Sequence, residues 1–238
     1  MALSDGEVHV WTAALDPPDS AVSRLARLLS PDEAARAGRY RFERDRRSYT
    51  VARGTLRVLL GGYLVRPPES LTFAYGEQGK PSLAGAWDGD LRFNLSHSAG
   101  LGVFAFSRGV EVGVDVEAMR DTGDLHGLAE RFFSAEEAAA LGAVPAEARP
   151  EAFYRCWSAK EAYIKGVGEG LSMPLDRFAV SLEPPEGEVG LRILAGKPPD
   201  VAWRIHRFAP RAGYVAALAV GAAGLRVRFG EWSFPEPI

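Results

Sequence analysis

The chain has 238 residues, enough for one large domain or two small ones, with 47% hydrophobic and 25% charged side chains. That composition lies within the globular range, far from disordered or fibrous sequences. A formal net charge of −3 excludes a nucleic-acid binder that works by bulk electrostatics, and Cys156, the only cysteine, excludes an internal disulfide or a cysteine-rich metal centre. The opening "MALSDGEVHVWTAAL" has no basic segment followed by an apolar core, and no apolar run reaches the ~18 residues of a membrane span. The expectation is a soluble cytoplasmic protein with no membrane and no nucleic-acid partner.

"EVHVWTAAL" alternates weakly and predicts an opening strand. "SPDEAARAGRYRF" follows, with Ser30, Pro31 and Glu33 placed as N-cap, N1 and N3 of a capping box. A longer helix is expected over "RRSYTVARGTLRVLLGGYL". Then come "LTFAYGEQGKPSL", a strand and turn, and "LRFNLSHSAGLGVFAFS", two strands around a polar bend. The order then repeats. "GVEVGVDVE" alternates as a strand, "FSAEEAAALG" carries a second capping box at Ser134 and Glu137, and "RPEAFYRCWSAKEAYIKGVG" is a second long helix. "MPLDRFAVSL" and "VAWRIHRFAPRAGYVAALAV" supply more strands. The same sequence of elements recurring after roughly a hundred residues suggests two similar α+β halves, 1–108 and 109–238, with a ligand cleft between them.

Within "GVEVGVDVE", Asp115 and Glu117 point to one face of a strand about 7 Å apart. Two carboxylates so placed suit a hard cation such as Mg²⁺, although taken alone the segment reads first as a half-buried strand with a solvated acidic face. Gly113 beside them would let a ligand approach closely. Glu161 and Lys165 are i and i+4 on the second long helix. A surface ion pair would explain them, but 24 of the 28 basic residues are arginine, and two of the four lysines lie in "WSAKEAYIKG". Lysine is favoured where a compact charge must reach a phosphate or deliver a proton. Lys80 projects from a Gly-Lys-Pro turn. "FNLSHSAG" sets Asn94, Ser96, His97 and Ser98 at a strand end, where hydroxyls and an imidazole can contact phosphate, or where the histidine simply hydrogen-bonds within the fold. Capping accounts for Glu33 and Glu137, which are left out of the site.

Taken in order, "GKP", "FNLSHS", "GVDVE", "RFFSAEE" and "WSAKEAYIKGVGEGLS" resemble the 4′-phosphopantetheinyl transferases of the surfactin-synthetase-activating type. The match runs from about Ser30 to Leu175 and is strongest over 93–171. The resemblance implies a pseudo-dimer of two related halves, acting as a monomer. It implies Mg²⁺-dependent transfer of phosphopantetheine from coenzyme A to a serine of an apo acyl or peptidyl carrier protein, with release of adenosine 3′,5′-bisphosphate. Polyketide, fatty-acid and nonribosomal-peptide carriers all come within its scope. Residue by residue, Asp115, Glu117 and Glu161 match the metal-binding acids, Glu161 also the candidate base, and Lys165 the lysine at the departing bisphosphate. Lys80, Ser96, His97 and Asp115 match coenzyme-binding positions. Arg36 stands near where relatives use lysines for the 3′-phosphate, and Lys160 has no assigned role. A Mg²⁺-dependent hydrolase of nucleoside diphosphate derivatives and a non-catalytic coenzyme A binder are the competing classes.

Overall fold

The computed structural model describes residues 1–85, 89–120 and 123–234. The opening alternation becomes β1 (Glu7–Ala14), with Val8, Val10 and Ala13 buried. Three helices follow: α1 (Asp19–Ala26), α2 (Pro31–Gly38) and α3 (Glu43–Leu64). A short ribbon, β2 (Phe73–Tyr75) with β3 (Pro81–Leu83), precedes the hairpin β4 (Leu91–Ser98) and β5 (Leu101–Arg108). Beyond it run β6 (Val112–Ala118), α4 (Leu125–Phe132), α5 (Ala135–Ala143) and α6 (Arg149–Val167). Six strands complete the order: β7 (Phe178–Val180), β8 (Gly187–Val189), β9 (Leu191–Ile193), β10 (Arg204–Phe208), β11 (Tyr214–Val220) and β12 (Arg226–Trp232). Helices α1 and α4 and strands β8, β9 and β12 are additions to the sequence expectation. The expected α+β class holds as a mixed α/β fold with several sheets.

Two four-stranded sheets dominate, ordered β12-β1-β5-β4 and β6-β11-β10-β8. Each central strand sorts its residues by parity. On β5, Val103 and Ala105 meet Val112, Val114, Val116, Ala216 and Leu218 of the other sheet. Phe104 and Phe106 turn the opposite way onto Leu56, Leu59, Leu60 and Tyr63 of α3. On β11, Ala217 and Ala219 turn from the intersheet core to Cys156, Ala159, Tyr163 and Ile164 of α6. The layers are therefore helix, sheet, sheet, helix. The last strand returns to the first sheet: β12 pairs parallel with β1, Glu7 opposite Arg226 through Ala13 opposite Trp232.

Capping alone does not explain Glu33 and Glu137. Each accepts a bond from the N-cap backbone N–H at 2.9 Å, as the spacing predicted, but each is also almost fully buried. Glu33 takes the guanidinium groups of Arg53 and Arg57, and Arg57 Nη1 donates to the carbonyls of Pro68 and Leu71 at 3.0 Å. Glu137 takes the Lys160 ammonium at 2.9 Å, and Lys160 Nζ also donates to the carbonyls of Leu175 and Phe178 at 2.8 and 2.5 Å. Lys160 has no exposed surface at all. It ties α5 and α6 to the chain leading into β7, which answers why a lysine stands there: three acceptors surround one compact charge.

Two changes test these contacts. Removing one partner of a buried ion pair leaves the other charge uncompensated, so Lys160→Met should lower unfolding free energy by ~3–5 kcal/mol, measured by urea titration. The β4–β5 turn places Ala99 at φ 44° and Gly100 at φ 85°, the doubly positive pattern that favours Asn-Gly. Ala99→Asn should therefore stabilise by ~0.5–1 kcal/mol in the same assay.

Candidate active site

Strand β6 and helix α6 touch through their backbones. A Cβ added to Gly113 would lie 2.0 Å from Ala162 O and 2.3 Å from Gly166 N, so no other residue fits without moving the helix. The sequence leaves this glycine's open side to a ligand; the structure fills it with α6. The contact sets Glu161 and Lys165 of α6 beside Asp115 and Glu117 of β6.

Strand β4 closes the group from the other side. Its residues 94, 96 and 98 share one face, and each reaches across to β6. Asn94 Oδ1 accepts from Val114 N at 2.9 Å, and Ser98 Oγ accepts from Ala118 N at 3.2 Å. Ser96 Oγ donates to Asp115 Oδ1 at 2.9 Å, and Ser98 Oγ donates to Glu117 Oε2 at 3.0 Å. Side chains thus join the two strands, while β4 pairs along its backbone with β5 and β6 with β11. The sequence places Asn94 and Ser98 at a strand end; their bonds to β6 are the addition, although the period-two spacing through Ser96 carried the signal.

Lys165 Nζ lies 2.6 Å from Asp115 Oδ1 and donates to Ser96 Oγ at 3.0 Å. Burial alone would lower its pKa, but Asp115, Glu161 and Glu117 outweigh that and raise it. Loss of solvent, against the relief offered by Lys165 and reinforced by the charges of Asp115 and Glu117, pushes Glu161 up to about 7. Glu117 is also raised, by burial and then by Asp115. The local charge balance is therefore acidic beyond what one ammonium offsets. Asp115 Oδ2 is buried with no hydrogen-bond partner. Among the described residues, no three acid, histidine or cysteine side chains stand close enough to share an ion in this arrangement, in which Lys165 holds Asp115 Oδ1.

A hollow of ≈ 320 Å³ opens above this group, lined by Arg36, Arg53, Tyr75, Ser96, His97 and Lys165 among others. It adjoins a second of ≈ 620 Å³ bounded by Arg36, Arg39, Tyr40, Tyr49 and Tyr75. His97 stands at the exposed rim, where partial loss of solvent and the Lys165 ammonium both lower its pKa. Arg36 is exposed, with its guanidinium over the Tyr49 ring. So Arg36, Ser96, His97 and Lys165 share one hollow. Lys80 does not line it: Nζ donates to Glu111 Oε2 and to Gly166 O, both at 2.7 Å, and the side chain borders a separate hollow with Arg92 and Glu111. The tyrosines and Arg53 along the hollow were not singled out in the sequence, since nothing local distinguishes them from packing residues.

Among the described residues, no helix is long and apolar enough to cross a membrane. A family model described as "4′-phosphopantetheinyl transferase superfamily" matches residues 111–219, and one described as "4′-phosphopantetheinyl transferase, N-terminal" matches 13–108. The chain is 39% identical to the 4′-phosphopantetheinyl transferase HetI of Nostoc, over 98% of its own length and 95% of that protein. It is 30% identical to a 4′-phosphopantetheinyl transferase of Bacillus subtilis, covering 81% of this chain and 84% of the other. It is 32% identical to the 4′-phosphopantetheinyl transferase Sfp of Bacillus subtilis, covering 71% and 73%. Matching such enzymes along nearly its whole length, the chain belongs to the 4′-phosphopantetheinyl transferase superfamily, whose members transfer phosphopantetheine to carrier proteins.

Proposed function

We propose that this transferase works with Mg²⁺ in the hollow above Asp115, taking phosphopantetheine from coenzyme A and releasing adenosine 3′,5′-bisphosphate. The observation that carries the site assignment is the Asp115 carboxylate. One oxygen is shared by Ser96 and Lys165, and the other is buried, unpartnered and flanked by two further acids with raised pKa values. Once Lys165 releases Asp115 and the acids draw together, that donor set would suit a hard divalent cation held by Asp115, Glu117 and Glu161. When bound, Mg²⁺ would neutralise charge developing on the coenzyme's diphosphate.

The protein's own groups supply the rest. Glu161 takes the proton of the carrier serine as its oxygen attacks the phosphorus bearing the pantetheine arm. Lys165 exchanges Asp115 for the bridging oxygen of the departing bisphosphate and stabilises its charge. Ser96 and His97 hold the coenzyme phosphates, and Arg36, facing both hollows, takes the 3′-phosphate by bidentate bonding. Lys80 joins them as a phosphate contact on leaving Glu111.

The same reading divides the chain into halves at 1–108 and 109–238, of which 235–238 lie outside the described residues. Supporting it, β1-β5-β4 and β6-β11-β10 are arranged alike, and the buried pairs Glu33–Arg57 and Glu137–Lys160 occur at like places, each reaching two carbonyls beyond its long helix. A chain containing both halves provides a complete cleft, so a cytoplasmic monomer is the working state. The co-substrate partners are apo acyl or peptidyl carrier proteins.

Intact-mass measurement on a panel of apo carriers with coenzyme A and Mg²⁺ should show one phosphopantetheine added per carrier. Coenzyme hydrolysis without carrier modification would instead identify a hydrolase. In that assay Asp115→Asn should abolish transfer, and Lys165→Arg, which keeps the charge but changes its shape, should slow it by about 10²-fold. A separate expectation concerns pH. Because Glu161 titrates near 7 in the fold against 4.5 for the free side chain, the unfolded chain ionises first as pH rises, and the fold loses stability between those values. In chelated protein, Glu161→Gln should therefore stabilise by up to ~3 kcal/mol at pH 8 and by nothing measurable at pH 4, read by urea titration at each pH.

A further inference from the structure

We infer that Ser98 is a positioning residue that sets the Glu117 carboxylate for divalent-ion binding, and that β4 thereby controls the ion site carried by β6. The inference rests on the proposed role of Glu117. A serine hydroxyl has one proton, and Ser98 Oγ already accepts the Ala118 backbone N–H at 3.2 Å, so the proton is directed to Glu117 Oε2 at 3.0 Å. The donor is itself fixed: Ser98 ends β4, paired with Leu101 across the β4–β5 turn, and the turn's Ala99 carbonyl accepts from the Tyr214 hydroxyl at 2.7 Å. Tyr214 belongs to β11, opposite Ala118 of β6. A closed circuit therefore runs from the β6 backbone through Ser98 to the β6 carboxylate, with the turn locked from the neighbouring strand.

Glu117 needs such a hold. It is the less buried of the two strand acids, and three rotatable bonds separate its carboxylate from the backbone. The charge of Asp115 works against it, and the Ser98 hydroxyl is the hydrogen-bond donor that fixes Oε2. Ser96 and Ser98 thus divide the work: one donor faces Asp115, the other Glu117. A hydrogen bond that orients a metal-binding carboxylate is commonly worth about 10–100-fold in ion affinity.

Mn²⁺ serves as the probe, with the free ion counted by electron paramagnetic resonance in full-length protein saturated with coenzyme A. Ser98→Ala should weaken Mn²⁺ binding by about 10–100-fold, while Ser98→Thr, which keeps the hydroxyl, should bind within about threefold of the unmodified protein. Coenzyme A affinity measured in chelator should be the same in all three, which a general loosening of the fold would not leave intact. Should Ser98→Ala fold poorly, Ser98→Cys, whose thiol is a weak donor, carries the same expectation. Undiminished Mn²⁺ binding by Ser98→Ala, or equal weakening in Ser98→Thr, overturns the inference. Glu117→Gln separates this from the underlying assignment. Weakened binding there with an unaffected Ser98→Ala removes only the positioning role, whereas unaffected binding in Glu117→Gln removes Glu117 from the ion site and the inference with it.

Discussion

The backbone contact between β6 and α6 at Gly113 governs the rest of the site. Strand acids and helix groups converge only because the two backbones meet with no side chain between them. Asp115 then comes within 2.6 Å of Lys165, and Glu161 comes near enough to both strand acids for their charges to raise its pKa. Such crowding of three carboxylates is unfavourable by itself, and Lys165 offsets part of it. The remaining imbalance is what a bound cation and a charged substrate would relieve, so the arrangement is stable enough to fold yet electrostatically incomplete.

The helix supporting this contact is held by a buried charge pair. An ammonium with no exposed surface beside a nearly buried carboxylate gives little net stability over apolar residues of the same volume. Its advantage is directional. Lys160 bonds Glu137 and two carbonyls at once, which fixes α6 relative to α5 and to β7. Glu161, the next residue, inherits that placement. Arg57 with Glu33 does the same for α3, with Arg53 adding a second guanidinium.

Much of this was legible in the sequence, for reasons specific to each element. The capping boxes at Ser30 and Ser134 and the alternation through 112–117 are local signals that appear where expected, although the strand starts at Val112 and leaves 109–111 outside it. The i, i+4 relation of Glu161 and Lys165 also needs only helix geometry. What local pattern could not carry was the far end of each long-range contact. Gly113 looked like room for a ligand because its occupant, α6, lies some fifty residues away. Lys160 looked redundant because its carbonyl partners follow the helix. Lys80 was grouped with the phosphate contacts, and here it bonds Glu111 and Gly166, partners that a turn motif does not disclose. Asn94 and Ser98 were visible as polar residues on one strand face, but strand β6 had to be placed beside them before that face had a use.

Strand β12 adds a constraint on how the molecule is made. Its parallel pairing with β1 means that the edge of the first sheet is supplied by residues emerging roughly two hundred positions later in synthesis. Until they arrive, β1 presents unsatisfied amides and carbonyls along one side, a surface prone to mispairing with other chains. Splitting the polypeptide between the two large sheets would strand that border permanently, so separate expression of the leading segment invites clumping, whereas a late-docking tail acts as its seal.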